Sequence, residues 1–225
     1  MILKGVAGPG LSGMRLDEAA KALFPQYSRS KIRKVIDWGG VRIGGEIVRV
    51  ASRPLKAGET VTLAVTEPDP LVDLAYADSD LLLDDAEYLA VCKAAGIYCQ
   101  RTPYQLKGTV EYAVGFLLRS RGTAEPARVI HRLDRGTSGV MVFPKTRAAA
   151  AHLSRLLASG EVEKVYWAVV DGDPSGERWT VDAPVAPLGK SRFGVAPGGR
   201  DAVTDFRVLA RGRGAAFLEA LPRTG

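Results

Sequence analysis

Between two apolar stretches lies the run His131-Arg132-Leu133-Asp134-Arg135-Gly136-Thr137-Ser138-Gly139. It gathers one carboxylate, one imidazole, two guanidiniums and two hydroxyls, the group types that serve as nucleophile, general base and charge stabiliser. Neighbouring cations favour the ionised form of a carboxylate. The small residues let a ligand approach the backbone closely. On residue types alone two readings stand: a reactive site centred on Asp134, or an ordinary loop whose aspartate caps its own turn. A serine hydrolase built on Ser138 and His131 is a third reading, but the chain has no G-x-S-x-G elbow to expose such a serine. The two cysteines, Cys92 and Cys99, do not have zinc-motif spacing, and His131 and His152 lie far from them in sequence. They read as buried or half-buried free thiols, with no metal expected.

The elements around the run must hold it in place. Glu87–Lys93 and Gly96–Gln100 read as two strands joined by a turn at Ala94-Ala95-Gly96. Thr109–Ser120 has the stripe of an amphipathic helix. Arg128–Lys145 reads as strand, polar loop, strand. Thr146–Gly160 is a second helix closed by its glycine. Val162–Gly172, Ala202–Ala210 and Ala215–Pro222 are further strands. Strands outnumber helices and do not alternate with them strictly. The expected fold class is therefore α+β with a mixed, mostly antiparallel sheet.

The N-terminal third has another character. Met14–Phe24 carries a helical apolar stripe through Leu16, Ala19, Ala20, Leu23 and Phe24. Ser28 is a natural N-cap for a helix that ends at Gly39-Gly40 and buries Ile32, Val35 and Ile36. That leaves Arg29, Lys31, Arg33 and Lys34 mainly on exposed sides. A hairpin follows around Gly44-Gly45, and Thr60–Val65 alternates as a strand. From Ser28 to Lys56 there are eight basic residues against Asp37 and Glu46, whereas Glu67–Glu87 carries only acidic charge and two prolines. A boundary in that acidic stretch divides the chain into residues 1–66, a linker at 67–78 and a second domain at 79–225. The net charge of +6 suits a polyanionic partner. No run is long and apolar enough for a membrane span or a secretory signal, and a cytoplasmic protein is expected.

Two resemblances sharpen this reading. Arg15-Leu16-Asp17, the helix start Ser28-Arg29-Ser30, Gly40-Val41-Arg42-Ile43-Gly44-Gly45 and Leu55-Lys56-Ala57-Gly58-Glu59 resemble the alpha-L RNA-binding motif first named for ribosomal protein S-four. That resemblance implies phosphate contacts from Arg29, Lys31, Arg33, Lys34 and Arg42, which supply affinity without base readout. The run His131–Gly139, with its following apolar strand and Pro144-Lys145-Thr146, resembles the signature of the RluA-type pseudouridine synthases. Glu163-Lys164-Val165-Tyr166-Trp167-Ala168-Val169-Val170 resembles that family's second motif. Lys93-Ala94-Ala95-Gly96 resembles an earlier one, normally Lys-Pro-x-Gly, with Ala94 in place of the proline.

The family resemblance implies an RNA-modifying isomerase that cuts the glycosidic bond of a uridine, turns the uracil and rejoins it through a ring carbon. No redox change occurs, so neither cofactor nor metal is required. Asp134 takes the position of the catalytic aspartate and Tyr166 that of the tyrosine packed against the target uracil. Arg132 takes the place of the residue that enters the RNA stack where the base has left, and Arg135 lies beside it on the RNA side. His131, Thr137, Ser138 and Lys164 are expected as supporting residues. The expected partner is structured RNA, ribosomal or transfer, with the protein a monomer. The family also has a third motif, roughly Thr-Gly-Arg-x-His-Gln-Ile-Arg. The chain ends at Leu221-Pro222-Arg223-Thr224-Gly225, inside that motif, so a C-terminally shortened chain is expected. The competing reading is a non-catalytic RNA-binding protein such as a ribosome-assembly factor.

Overall fold

In the computed structural model, residues 1–65, 73–123, 125–189 and 192–224 are described. They form two compact units, Met1–Ala151 and His152–Gly225. The expected linker at 67–78 lies partly outside the described residues, because 66–72 are not among them.

The first unit opens with strand β1 (Ile2–Val6), helix α1 (Leu16–Leu23) and helix α2 (Arg29–Asp37). Strands β2 (Val41–Ile43), β3 (Glu46–Ile47) and β4 (Thr60–Ala64) complete an antiparallel sheet in the order β1-β4-β2-β3. The reasons are local. The Ser28 hydroxyl accepts from the Lys31 N–H and caps α2. Gly39 follows the helix at φ +81°, where a side chain would be strained. Gly44 and Gly45, both at positive φ, make the two-residue turn between β2 and β3. Leu16, Ile32, Ile36, Val41, Val61 and Leu63 close the core beneath. β1 was not expected from sequence; Ile2-Leu3-Lys4-Gly5-Val6 is short, and it forms because it finds the whole length of β4 as a partner.

The first unit continues with β5 (Leu81–Asp84), β6 (Tyr88–Lys93), α3 (Val110–Ser120) and β7 (Gly139–Pro144). The sheet order is β5-β6-β7, again antiparallel. Leu89 and Phe143 are cross-strand partners with no exposed surface. Together with Val91 and Met141 they pack against Val110, Val114, Leu117 and Leu118 of α3. Two expected strands do not form. Ile97–Gln100 cannot lie beside β6, because β5 and β7 occupy both its edges. Its carbonyls are taken instead by α3, with Val110 N–H donating to Tyr98 and Glu111 N–H to Cys99. Arg128–Ile130 is likewise irregular. The Val142 N–H beyond it donates to His131 rather than to a strand. Cys92 is exposed on the outer pleat of β6, contrary to the expectation, while Cys99 is a buried free thiol.

Helix α4 (Arg147–Ala158) contains the division between the units. The second unit holds β8 (Tyr166–Asp171), β9 (Arg178–Asp182), β10 (Val185–Gly189), β11 (Arg192–Val195), β12 (Val203–Gly212) and β13 (Ala215–Pro222). They make an antiparallel sheet ordered β8-β13-β12-β9 and a β10-β11 hairpin. Trp179 stacks on Phe206 with ring centroids 5.3 Å apart. All named strand pairs are antiparallel, so the expected α+β class holds. Among the described residues no helix is long and apolar enough to cross a membrane.

Truncating Phe143 removes the largest apolar group of the second core. Phe143→Ala should lower the unfolding free energy by about 3–5 kcal/mol in a denaturant titration, the usual cost of a buried phenylalanine cavity.

Candidate active site

The run from His131 to Ser138 passes through Arg132–Asp134 without regular structure and then turns at Arg135-Gly136. Its even-numbered residues, Arg132, Asp134, Gly136 and Ser138, are exposed, and its odd-numbered residues are half-buried. Leu133 packs into the core under α3. Strand-like alternation therefore turns Asp134 and Arg132 to the same, open side.

The backbone on each side of Asp134 is gripped by buried groups. On the N-terminal side, the Cys99 thiol donates to the Leu133 carbonyl (3.0 Å) and its sulfur accepts from the Leu133 N–H (3.2 Å). On the C-terminal side, the Arg135 carbonyl accepts from the Gly96 N–H (2.7 Å) and from Lys93 Nζ (3.2 Å). Lys93 is completely buried, and its ammonium also donates to the carbonyls of Ala94 (3.1 Å) and Ile97 (2.9 Å). A buried ammonium with three carbonyl acceptors is satisfied, and removing it would take a donor from each of them. Burial pushes Lys93 below the ordinary lysine range, and the nearby Asp134 carboxylate partly offsets it. Arg135 turns inward, with Nε donating to the Gly96 carbonyl (3.0 Å) and its guanidinium 5.2 Å from the centre of the Tyr98 ring. The loop closes with the Thr137 N–H donating to the Asp134 carbonyl (3.0 Å).

His131 ties the start of the run to β7. Its Nε2 accepts from the Val142 N–H at 2.9 Å, so the ring is neutral with its proton on Nδ1. Burial holds its pKa below the ordinary 6.5. By contrast, the Asp134 carboxylate and the Arg132 guanidinium make no hydrogen bond or ion pair among the described residues, not even with each other. Both are turned outward and available.

The remaining expected residues fall in two places. Arg29, Ser30 and Arg33 line an open cleft of about 500 Å³ on α2. Beneath it sits Asp17, fully buried at the carboxylate, with Arg15 at 3.1 Å, Arg29 at 2.9 Å and Arg33 at 3.7 Å. Burial alone would raise Asp17, but hydrogen bonds from Arg15 and Arg29 outweigh it and hold the carboxyl below its usual range. Lys31 lies 5.1 Å from the centre of the Tyr27 ring, and Lys34 pairs with Asp73 over Trp38. Arg42 points elsewhere, to the carbonyls of Gly45 and Pro103. Tyr166 and Lys164 belong to the second unit. Tyr166 opens β8 opposite Ala220, half-buried, with Lys164 two residues before it.

In the sequence Lys93 stands within a motif without a role of its own, and Cys99 reads only as a thiol. The signal for Lys93 was its parity: Leu89, Val91 and Lys93 share one face of β6, and the first two are plainly core. Nothing in the spacing could have linked Cys99 to Leu133.

The comparisons with known proteins bear on this arrangement. The RNA pseudouridylate synthase family profile matches residues 87–225, which includes the whole gripped run, and the S4 domain profile matches residues 14–61. An RNA pseudouridine synthase of Synechocystis is 33% identical over 98% of this chain and 70% of its own. The chain belongs to the RNA pseudouridylate synthase family. Another pseudouridine synthase, from Aquifex aeolicus, is 34% identical over 88% of this chain and 64% of its own. The ribosomal large subunit pseudouridine synthase D of Xanthomonas campestris is 33% identical over 99% of this chain and 67% of its own. The chain therefore spans about two thirds of the length of these relatives. Among solved structures, human RNA pseudouridylate synthase domain containing 4 matches with a TM-score of 0.55 at 25% identity, covering 65% of this chain and 60% of that one. The motifs that resembled this synthase family thus lie inside the matched region.

The neutral, half-buried His131 gives the Asp134 loop an acid-sensitive anchor. An unfolded imidazole takes up a proton below about 6.5, whereas the folded one resists it. The stabilisation is thus complete above that pH and is lost as the pH falls through the lowered folded value. Urea titrations from pH 7.5 to 5 should show stability declining, and His131→Gln should flatten the decline.

Proposed function

We propose that the protein isomerises uridine to pseudouridine in structured RNA, with Asp134 as the catalytic aspartate. The observation that carries this reading is the state of Asp134. Its carboxylate is open and unpaired among the described residues, while the peptide groups on both sides of it are gripped by Cys99, Gly96 and Lys93. A group fixed in position but free in its chemistry suits attack on, or proton transfer with, a substrate brought to it.

The reaction exchanges one carbon–nitrogen bond for one carbon–carbon bond. The proton on the attacking ring carbon is released and the freed ring nitrogen ends protonated, so no electrons are lost or gained. The family likeness and the chemistry support a reaction that uses neither metal nor cofactor. A uridine stacked in a helix hides its glycosidic bond and must swing out to reach Asp134. Arg132, exposed on the same side, is proposed to fill the gap in the stack with its planar guanidinium. Tyr166 is proposed to pack on the uracil. Lys164, Thr137 and Ser138 are proposed to support the site, and His131 to anchor its loop.

Residues 1–66 are proposed as the RNA-binding domain and 79–225 as the catalytic domain, joined by the linker at 67–78. The cleft lined by Arg29 and Arg33 is the proposed phosphate site, with Lys31 and Lys34 on the same helix. Relatives named for the ribosomal large subunit favour ribosomal RNA over transfer RNA as substrate. A cytoplasmic monomer fits this role.

Asp134→Asn should abolish pseudouridine formation, by about a thousandfold or more in rate, while RNA affinity changes little. Chemical mapping of pseudouridine, paired with a filter-binding titration, tests this. Full modification by the variant would remove Asp134 from the chemistry.

A further inference from the structure

The segment from Gly96 to Lys107 touches two distant parts of the first unit. Its first half grips the Asp134 loop through Gly96, Tyr98 and Cys99, as described above. Its second half lies on the S4-type fold. Thr102 and Gln105 exchange both backbone hydrogen bonds (2.9 and 3.2 Å), which closes a tight turn with Pro103 and Tyr104 at its tip. Arg42 meets that tip: Nη2 donates to the Pro103 carbonyl (3.0 Å), Nη1 to the Gly45 carbonyl (2.8 Å), and the guanidinium lies 5.1 Å from the centre of the Tyr104 ring. The Leu106 N–H then donates to the Trp38 carbonyl at 2.7 Å. Lys107 Nζ pairs with both oxygens of Asp37, at 2.7 and 2.9 Å.

The glycine pair after α2 makes this contact possible. A Cβ on Gly39 would come within 2.7 Å of Leu106 Cδ1, and one on Gly40 within 3.1 Å of the Tyr104 carbonyl. The first approach would force Leu106 to shift and the second would press on the Tyr104 carbonyl, so the pair does more than end a helix. Helix end, hairpin and turn tip are fitted to one another by backbone bonds, a stacked arginine and an ion pair.

We infer that residues 101–107 form a strap that fixes the S4-type fold to the catalytic fold, and that Asp37, Arg42 and Lys107 thereby help set which uridine is presented to Asp134. This rests on the proposed function above. One segment holds the loop that carries Asp134 and, a few residues later, the end of the helix whose start lines the phosphate cleft. RNA seated on Arg29 and Arg33 is then held at a set distance from the reactive carboxylate. Arg42 acts here as a positioning residue, with its guanidinium directed to protein carbonyls.

Asp37→Lys tests the strap. Asp37 is the last residue of α2, where a cation is favoured by the helix dipole, so the fold tolerates the change. The new lysine would face Lys107 and Arg49. Amide hydrogen exchange read residue by residue should show the Leu106 N–H exchanging roughly fivefold faster, with Val91 and Phe143 in the β6–β7 ladder unchanged. Adding Lys107→Glu should return the Leu106 rate to within about twofold of the parent. In the same proteins, kcat/KM should fall roughly fivefold on a long folded RNA that reaches both folds, stay unchanged on a short hairpin carrying only the target uridine, and recover in the double variant. An unchanged Leu106 rate in Asp37→Lys would overturn the strap. Equal losses on both RNAs would overturn its role in choosing the uridine. If the parent protein modified neither RNA, the proposed function would fall, and the exchange measurement would decide the strap by itself.

Discussion

A buried ammonium organises this molecule. Lys93 ends β6 on its core face, where a bare cation would be very costly, and it is tolerated because three carbonyls surround it. Those carbonyls belong to Ala94, Ile97 and Arg135. The first two bend the chain away from the sheet, and the third is the residue after Asp134. Satisfying one charge therefore fixes both the path of the chain after β6 and the position of the loop that carries Asp134.

The grip explains why the loop can be rigid and open together. Extended backbone places alternate residues on opposite sides. Leu133 and Arg135 face inward, to the core and to Tyr98, and their peptide groups are held by Cys99, Gly96 and Lys93. The side chains of Asp134 and Arg132 face outward with no partner among the described residues. The usual compromise between ordering a residue and leaving it reactive is avoided, because the order is imposed on the neighbours.

The basic N-terminal fold divides its cations between two tasks. Arg15, Arg29 and Arg33 converge on the buried Asp17, which gathers them at the start of α2 while leaving each of them exposed to solvent. Arg29 and Arg33 can neutralise Asp17 and still face a polyanion across the open cleft. Arg42 is directed to the contact with the segment 101–107 instead, where Lys107 meets Asp37. Counting positive charge along the sequence does not separate these tasks; the direction of each side chain does.

Much was already written in the sequence. The two helices of the first fold, the glycine turn between β2 and β3, the cap at Ser28, α3 and α4 all follow from local rules of periodicity and capping, which act within a few residues. The motif around Asp134 was legible for the same reason, since His131, Arg132, Asp134 and Thr137 are close neighbours in the chain. Tertiary structure decided what depends on partners far away. Ile97–Gln100 is apolar enough for a strand but finds both edges of β6 occupied, and β1 forms because β4 offers an edge. The Cys99 contact with Leu133, the burial of Lys93 and the turning of Arg42 onto Pro103 each join residues distant in sequence. Chain-local chemistry sets which elements can form. The competition for sheet edges and for partners to buried charge, which only the folded chain settles, sets where they go.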